Sequence, residues 1–321
     1  MKWNKLGQIF NFNETPFKDK FVSHAQSPQA LVFDDFVRIY FTTRIKDTEK
    51  TFISVPQFVD FTKDFSRTIN FSKSDIITQG NLGCFDEHGI FPFSPLRIGN
   101  KIYAYTTGWT RRISVDVDAG IGLAVSDNNG EFFIRPGDGP ILTSSLREPF
   151  LVCDGFVRYF DGLFHMWYIY GTSWKEDPES HVPERTYIIG HAVSQNGIEW
   201  IKDNRSIIKQ NDETECQALP TVIKSGSRYY MYFCSRNSFN FRSNPQNMYD
   251  LGFAYSDDLE HWIRDDSNKG IHKSTTKGDW DSDMMCYPNL FQVDNKIYML
   301  YNGNDFGKHG FGLAVLEDET V

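Results

Sequence analysis

The chain has 321 residues, of which 40% are hydrophobic and 23% charged, as in ordinary globular proteins. Its formal net charge of −9 argues against nucleic acid or an anionic membrane surface as the main partner, and no apolar run is long enough to span a membrane. Aromatic residues make up 16% of the chain, which favours strands and also suits sites that stack against ring-shaped ligands.

The five cysteines, at positions 84, 153, 216, 234 and 286, are widely spaced and form no CxxC pair. This spacing excludes a zinc ribbon and a thioredoxin motif. Residues 1–8 lack the apolar segment of a secretory signal. Free thiols without such a signal predict a cytoplasmic protein.

One aromatic strand pattern recurs along the chain. It occurs around Tyr40 and returns around Tyr103, His165, Tyr230 and Tyr298, at steps of 63, 62, 65 and 68 residues. A turn signal rich in Asp, Asn, Gly or Ser precedes each copy, which is typical of a hairpin.

A second pattern, Gly-x-Ala within an apolar run, follows each of the last four copies. It starts at Gly122, Gly190, Gly252 and Gly312, and the first unit carries a degenerate copy at residues 52–55. Each unit of roughly 65 residues therefore contains about four short strands, which is typical of a propeller blade.

These units predict an all-β, five-bladed β-propeller with four-stranded blades, built as a single domain over residues 1–321. The first unit has no preceding strand and the fifth ends at Val315, so we expect residues 3–12 to supply the outer strand of the last blade. This closure would protect sheet edges that otherwise pair with other chains. The alternative is a β-sandwich, which requires shorter, non-repeating strand spacing.

The strand before each hairpin turn is expected to line the central channel, with its polar first residues at one mouth. The acidic residues expected there are Asp86, Glu87, Asp154, Glu215, Asp281 and Asp283. Clustered carboxylates repel, so some of them are expected to have raised pKa values. A protonated carboxylic acid that faces an ionised one can cleave a glycosidic bond. The alternative is that these acids only cap strand ends beside water.

Further polar and aromatic residues near this mouth are candidates for substrate binding. Arginines can clamp a phosphate or carboxylate, and aromatic rings can stack on sugar faces. The candidates are His24, Gln26, Arg44, His88, Trp109, Arg236, Asp283, Asn304 and His309. No ligand spacing identifies a metal site, so we predict no cofactor, while His24 and His88 with nearby acids leave a channel cation open.

The chain resembles a known group in two respects. One is its blade pattern, and the other is Asp154 in unit three followed 61 residues later by Glu215-Cys216 in unit four. This group is the five-bladed propeller glycosidases of families 43, 32, 68 and 130, with uncharacterised relatives linked with surface polysaccharide assembly. The resemblance to family 43 implies that Glu215 is the general acid and that Asp154 tunes and orients it. The general base of that family, an Asp of blade one, has no counterpart in residues 24–28, so Asp86 or Glu87 is the alternative base.

We therefore expect a carbohydrate-active enzyme that cleaves a glycosidic bond with carboxylates in the central channel. The missing blade-one base leaves three alternatives: a glycoside phosphorylase, a glycosyl transferase of polysaccharide metabolism, or a glycan-binding propeller without catalysis. The expected partner is a carbohydrate, and no oligomeric state is predicted.

Overall fold

The structure is a computed structural model that describes residues 1–49 and 51–319. The chain begins with strand β1 (Lys2–Asn11), which two short 3-10 turns follow, at Phe12–Glu14 and Pro16–Asp19. The first blade then contains β2 (Ser23–Val32), β3 (Phe36–Lys46), β4 (Phe52–Thr62) and β5 (Thr68–Phe71). The second blade contains β6 (Ile90–Ile98), β7 (Lys101–Arg111) and β8 (Val117–Ser126).

The remaining three blades follow in chain order. The third contains β9 (Val152–Phe160), β10 (Leu163–Glu176), β11 (Pro183–Ser194) and β12 (Ile201–Lys202). The fourth contains β13 (Glu215–Ser225), β14 (Arg228–Asn237), β15 (Asp250–Ser256) and β16 (Ile263–Arg264), followed by a 3-10 turn at Asp266–Asn268. The fifth contains β17 (Cys286–Val293), β18 (Lys296–Asn302), the short helix α1 (Asn304–Gly307) and β19 (Gly310–Asp318).

The sheets confirm the predicted five-bladed propeller. Each sheet is antiparallel, and the inner strands β2, β6, β9, β13 and β17 contact one another in a closed ring. The second sheet has three strands, and an isolated bridge between Val125 and Ile134 takes the position of its fourth strand. No helix within the described ranges has the length and apolar character needed to cross a bilayer.

The N-terminal strand closes the ring, as predicted. Strand β1 pairs antiparallel with β19, from Lys2 opposite Asp318 to Asn11 opposite Gly310, and so forms the outer edge of the fifth blade. The buried Trp3 donates a hydrogen bond from its Nε1 to the Tyr232 hydroxyl of the fourth blade at 2.8 Å. The closing strand is therefore attached to two blades.

The high aromatic content is explained by the packing of one blade against the next. Tyr40 and Tyr105, buried on second strands, donate hydrogen bonds to the carbonyls of Gly130 and Gly197 in the following blade. Both glycines have positive φ, and a Cβ on Gly130 would lie 2.1 Å from the Tyr40 hydroxyl. These turns therefore require glycine both for their backbone conformation and for the approach of the ring.

Every inner strand contains a bulge near the mouth of the channel, where its pairing register with the second strand shifts. In four of these strands a residue other than glycine has positive φ at or beside the shift: Ser27, Asp154, Leu219 and Tyr287. A bulge turns side chains away from the regular alternation of a strand. The bulges therefore decide which side chains face the channel at this end.

Candidate functional site

A cavity of about 270 Å³ lies where the ends of inner, second and third strands meet, and we call it the central cavity. Residues of all five blades line it: Gln26, Arg44, Ser54, Phe91, Trp109, Val117, Arg185, Tyr187, Arg236, Phe241, Arg242, Tyr249, Tyr287 and Phe306. Within residues 1–49 and 51–319, no aspartate or glutamate is in this lining.

Arg44 enters the central cavity from the first blade. Its Nη2 donates to Oε1 of the buried Gln26 at 3.3 Å, and among the described residues it has no carboxylate partner. Burial lowers the pKa of Arg44 from its ordinary value, since the guanidinium is removed from water. The first blade therefore presents an unneutralised cation to the cavity.

Arg236 lies deeper, on the fourth blade, and is held by neutral groups. Its Nε donates to the Tyr187 hydroxyl at 3.1 Å, and its Nη1 donates to the carbonyl of Asn237 at 2.7 Å. Its guanidinium carbon lies 3.6 Å from the centre of the Phe241 ring. The hydroxyls of Tyr187 and Tyr249 are 2.5 Å apart, and burial raises the pKa of Tyr187 to about 12. Arg236 is thus fixed in position without a neutralising acid among the described residues.

Arg185 lies between two indole rings. Its guanidinium carbon is 5.9 Å from the Trp109 ring and 5.7 Å from the Trp174 ring, within the range of cation–π attraction. The long β10–β11 hairpin places Arg185 directly opposite Trp174. Trp109 is fixed by a hydrogen bond from its Nε1 to the carbonyl of Phe91 at 2.5 Å.

Arg242 differs from the other three arginines of the cavity, because it has an acid partner. Its Nη1 donates to Glu184 Oε1 at 3.0 Å, and its side chain is mostly exposed. The other carboxylate oxygen of Glu184 is buried, and no hydrogen-bond partner for it is found among the described residues.

None of the acids predicted near the starts of the inner strands lines the central cavity. In four blades a buried acid at or just before the inner strand pairs with a cation at the outer-strand position of the same blade. We call these the inner–outer ion pairs: Asp86–Arg135, Glu148–Lys202, Glu215–Arg264 and Asp281–Lys5. Each pair joins the inner and outer edges of a blade, which is a structural use of the charge.

Glu215 shows how completely such a pair engages the carboxylate. Its oxygens accept hydrogen bonds from Nη1 and Nη2 of Arg264 at 2.9 and 2.7 Å. One oxygen also accepts the backbone N–H of Asn211 at 2.5 Å. The side chain is 6% exposed and does not line the central cavity.

The two blade-two acids are also outside the central cavity. Asp86 is fully buried, pairs with Arg135 at 2.5 Å, and its pKa is raised by burial. Glu87 accepts the backbone N–H of Gly83 at 2.6 Å and lies 3.2 Å from Nδ1 of His88. Neither acid lines the cavity.

Asp154 has different surroundings. It is buried at the bulge of β9, where its N–H donates to Thr107 Oγ1 at 2.9 Å and its Oδ2 accepts the N–H of Leu219 at 3.2 Å. Burial raises its pKa to about 7, although Arg185 of the cavity lining acts in the opposite direction. Asp154 is not in the lining of the central cavity either, but the charge of Arg185, which is in that lining, acts on its pKa.

The structure brings together four of the predicted substrate-binding residues: Gln26, Arg44, Trp109 and Arg236 all line the central cavity. His24, His88, Asp283, Asn304 and His309 are absent from that lining. His24 is buried with its Nδ1 2.5 Å from the Ser23 hydroxyl, and burial lowers its pKa to about 3. Asn304 Oδ1 accepts the N–H groups of Asp283 and Met284, which is a turn-forming role.

Tyr187, Tyr249 and Arg185 were missed by the sequence prediction. Tyr187 and Tyr249 each precede the glycine of a Gly-x-Ala pattern by three residues, so the repeat itself contained the signal for them. Arg185 lies at the end of the charged segment 174–185, which carries neither repeat pattern. Its position follows from the register of the β10–β11 hairpin.

No three His, Cys, Asp or Glu side chains in the described part of the chain are grouped to hold a metal ion. All five cysteines are free thiols.

Two proteins of Mycobacterium tuberculosis match the chain along its whole length. They are Uncharacterized protein MT1551 and Uncharacterized protein Rv1502, each 31% identical over 320 residues, which is 99% of this chain and 100% of each relative. The chain belongs to their family. No protein-family profile matches it.

Solved structures share the fold at low sequence identity. BT0996, solved in a complex with RGII, has a TM-score of 0.74 at 16% identity and covers 98% of this chain and 92% of its own. A thermostable family-43 glycoside hydrolase has a TM-score of 0.62 at 15% identity, covering 94% of this chain and 92% of its own. A structure from the GH130 family of mannoside phosphorylases has a TM-score of 0.64 at 12% identity, covering 93% and 85%. The chain therefore has the five-bladed fold found in glycoside hydrolases, as the resemblance implied.

Proposed function

We propose that the protein is a carbohydrate-active enzyme that binds a sugar in the central cavity and makes or breaks its glycosidic bond. The observation that carries this proposal is the cavity lining, which combines aromatic faces such as Trp109 and Tyr287 with the donors Arg44, Arg185 and Arg236. Aromatic faces stack on sugar rings, and a few well-placed polar groups fix their orientation. The likeness in fold to glycoside hydrolases and phosphorylases supports the same interpretation.

Asp154 is our candidate for the proton donor. A general acid works best when its pKa is near the working pH, and burial raises the pKa of Asp154 to about 7. Glu215, in contrast, already accepts two hydrogen bonds from the Arg264 guanidinium. We therefore assign proton donation to Asp154 and a structural role to Glu215.

The test is chromatography of the products formed from a panel of glycosides and oligosaccharides, with and without inorganic phosphate. Free sugar under both conditions would indicate hydrolysis, and sugar phosphate formed only with phosphate would indicate phosphorolysis. Asp154→Asn is expected to lower kcat by about 100-fold or more, as for loss of a general acid. Glu215→Gln is the matched variant and is expected to keep kcat within about 10-fold. The reverse order of the two effects would overturn the assignment.

A second candidate is a glycan-binding protein without turnover. It is favoured by the lack of any Asp or Glu in the cavity lining among residues 1–49 and 51–319. In that case a glycan binds without product formation, and Asp154→Asn leaves its affinity unchanged. Isothermal titration of the wild type and the variant against the same panel separates the two functions.

A further inference from the structure

The central cavity concentrates positive charge in a protein whose net charge is −9. Arg44, Arg185 and Arg236 reach it from three different blades. Among the described residues, none of the three forms an ion pair with a carboxylate, and their contacts are with an amide, hydroxyls, carbonyls and aromatic rings. Arg236 is buried, and Arg44 and Arg185 are partly buried. Removing a charge from water is costly unless it is paired.

Three arginines elsewhere in this chain that are buried or nearly so are neutralised by carboxylates. Arg38 donates to both oxygens of Asp60 at 2.7 and 2.8 Å, and Arg264 donates to both oxygens of Glu215. Arg135 pairs with Asp86. At these three positions the fold supplies an acid, and the arginines of the cavity differ in this respect.

A single arginine without an acid does not define a site. Arg158, near the opposite end of the channel, donates to the carbonyl of Val157 at 2.9 Å and stacks 4.0 Å from the Phe156 ring. Among the described residues one other arginine, Arg97, lines the same pocket, and it stacks on Phe33. What distinguishes the central cavity is that three such groups converge on the same space.

We propose that the ligand of the central cavity carries an oxyanion on the sugar itself, a carboxylate or a phosphate, and that Arg44, Arg185 and Arg236 bind it. This inference rests on the proposed function and names its substrate class as acidic or phosphorylated sugars. The planar guanidinium presents paired N–H donors that match both kinds of oxyanion. The aromatic rings line the same cavity as the guanidinium groups, so one ligand meets both.

Isothermal titration of the full chain, at fixed ionic strength, tests this proposal. The probes are glucuronate, galacturonate, glucose 1-phosphate, glucose 6-phosphate, inorganic phosphate and glucose. At least one sugar anion is expected to bind 10-fold or more tightly than both glucose and inorganic phosphate. Arg44→Gln and Arg185→Gln are each expected to weaken that binding by about 10-fold to 100-fold, as for loss of a hydrogen bond to a charged group.

Two variants serve as controls. Arg112→Gln removes an arginine that is 57% exposed, pairs with Asp118 and does not line the cavity, so it should leave affinity unchanged. Arg44→Lys keeps the charge but loses the planar pair of donors, so its affinity should lie between those of the wild type and Arg44→Gln. Thermal unfolding of each variant shows whether it is folded at the titration temperature.

The outcomes separate this inference from the proposed function. Binding of inorganic phosphate as tight as that of the sugar phosphates would overturn an oxyanion carried by the sugar. Unchanged affinity in both glutamine variants, or no binding of any anion, would overturn the arginine site. Turnover of neutral glycosides without anion binding would overturn the inference of an anionic ligand and leave the proposed enzyme function intact. Arginine-dependent anion binding without any glycoside product would support the inference and contradict only the catalytic proposal.

Discussion

Asp154 and Glu215 lie one blade apart, both at inner strands, and they meet opposite surroundings. Glu215 accepts two hydrogen bonds from Arg264, which belongs to the outer strand of its own blade. Asp154 accepts one backbone N–H, and burial raises its pKa to about 7. Asp154 occupies the bulge position that Leu219 takes in blade four, and the acid of blade three that pairs with an outer-strand cation is Glu148. Asp154 and Glu215 therefore differ because Glu215 has a cation of its own blade as partner, whereas Asp154 has none among its hydrogen-bond partners in the described residues.

The largest expected effect on stability comes from removing the counter-charge of Glu215. Arg264→Met leaves the Glu215 carboxylate buried without its counter-charge. The free energy of unfolding should fall by about 3–5 kcal/mol, as when one partner of a buried ion pair is removed. Urea denaturation followed by circular dichroism measures this change.

Two further variants make that measurement specific. Arg228→Met breaks a pair with Asp257 at the surface and should change the free energy of unfolding little, since salt screening and solvent weaken such pairs. The double variant Glu215→Leu with Arg264→Met removes both charges and should recover most of the lost stability. A loss as small in Arg264→Met as in Arg228→Met would contradict the structural role of the inner–outer ion pairs.

The Asp154 side of the comparison predicts a pH dependence. The folded pKa of about 7 lies above the ordinary value of 3.8, so the folded state binds the proton more tightly than the unfolded state. The stabilising contribution is present at low pH and is lost as pH rises toward 7. Between pH 5 and 7 the wild type should lose about 2–3 kcal/mol relative to Asp154→Asn. Parallel stability curves for the two proteins would show that Asp154 titrates normally.

The buried His165 of the third blade should give the opposite dependence of stability on pH, with stability lost as the pH falls. His165 Nδ1 lies 3.0 Å from His191 Nε2, and His191 Nδ1 lies 2.8 Å from Asp203 Oδ2. Burial lowers the pKa of His165 to about 4, from the ordinary 6.5. The unfolded state therefore takes up the proton first, and stability is lost as pH falls below 6.5.

His165→Gln removes this titration while keeping a polar partner for His191. Between pH 6 and 5 the wild type should lose about 1 kcal/mol of stability that the variant keeps. Denaturant unfolding at both pH values measures the difference. A variant that shows the same acid sensitivity as the wild type would assign the effect to another group, such as His24.

The ring could be predicted from the sequence because its determinants are local and repeated. Tyr40 and its four counterparts mark one strand in each unit, and the unpaired start of the first unit implies closure by the N-terminal strand. Gln26, Arg44, Trp109 and Arg236 could also be predicted, since strand ends at one mouth of a propeller converge. These are consequences of periodicity alone.

The acids could not be predicted in the same way. Glu215 pairs with Arg264 and Asp86 with Arg135, in both cases across 49 residues. The cation lies at an outer-strand position, where the repeat pattern is weakest and the strand is two residues long or a single bridge. When the sequence does not reveal that partner, an inner-strand acid is easily taken for a catalytic residue.

Closure by β1 has a consequence for how the protein is made. During synthesis β1 leaves the ribosome before any of the blades, while its partner β19 leaves after all of them. Lys5 is likewise synthesised long before Asp281, with which it forms an ion pair. For the whole of that interval an unpaired strand edge is exposed in the nascent chain, where it invites wrong pairing. The ring can therefore close only after translation has passed residue 318.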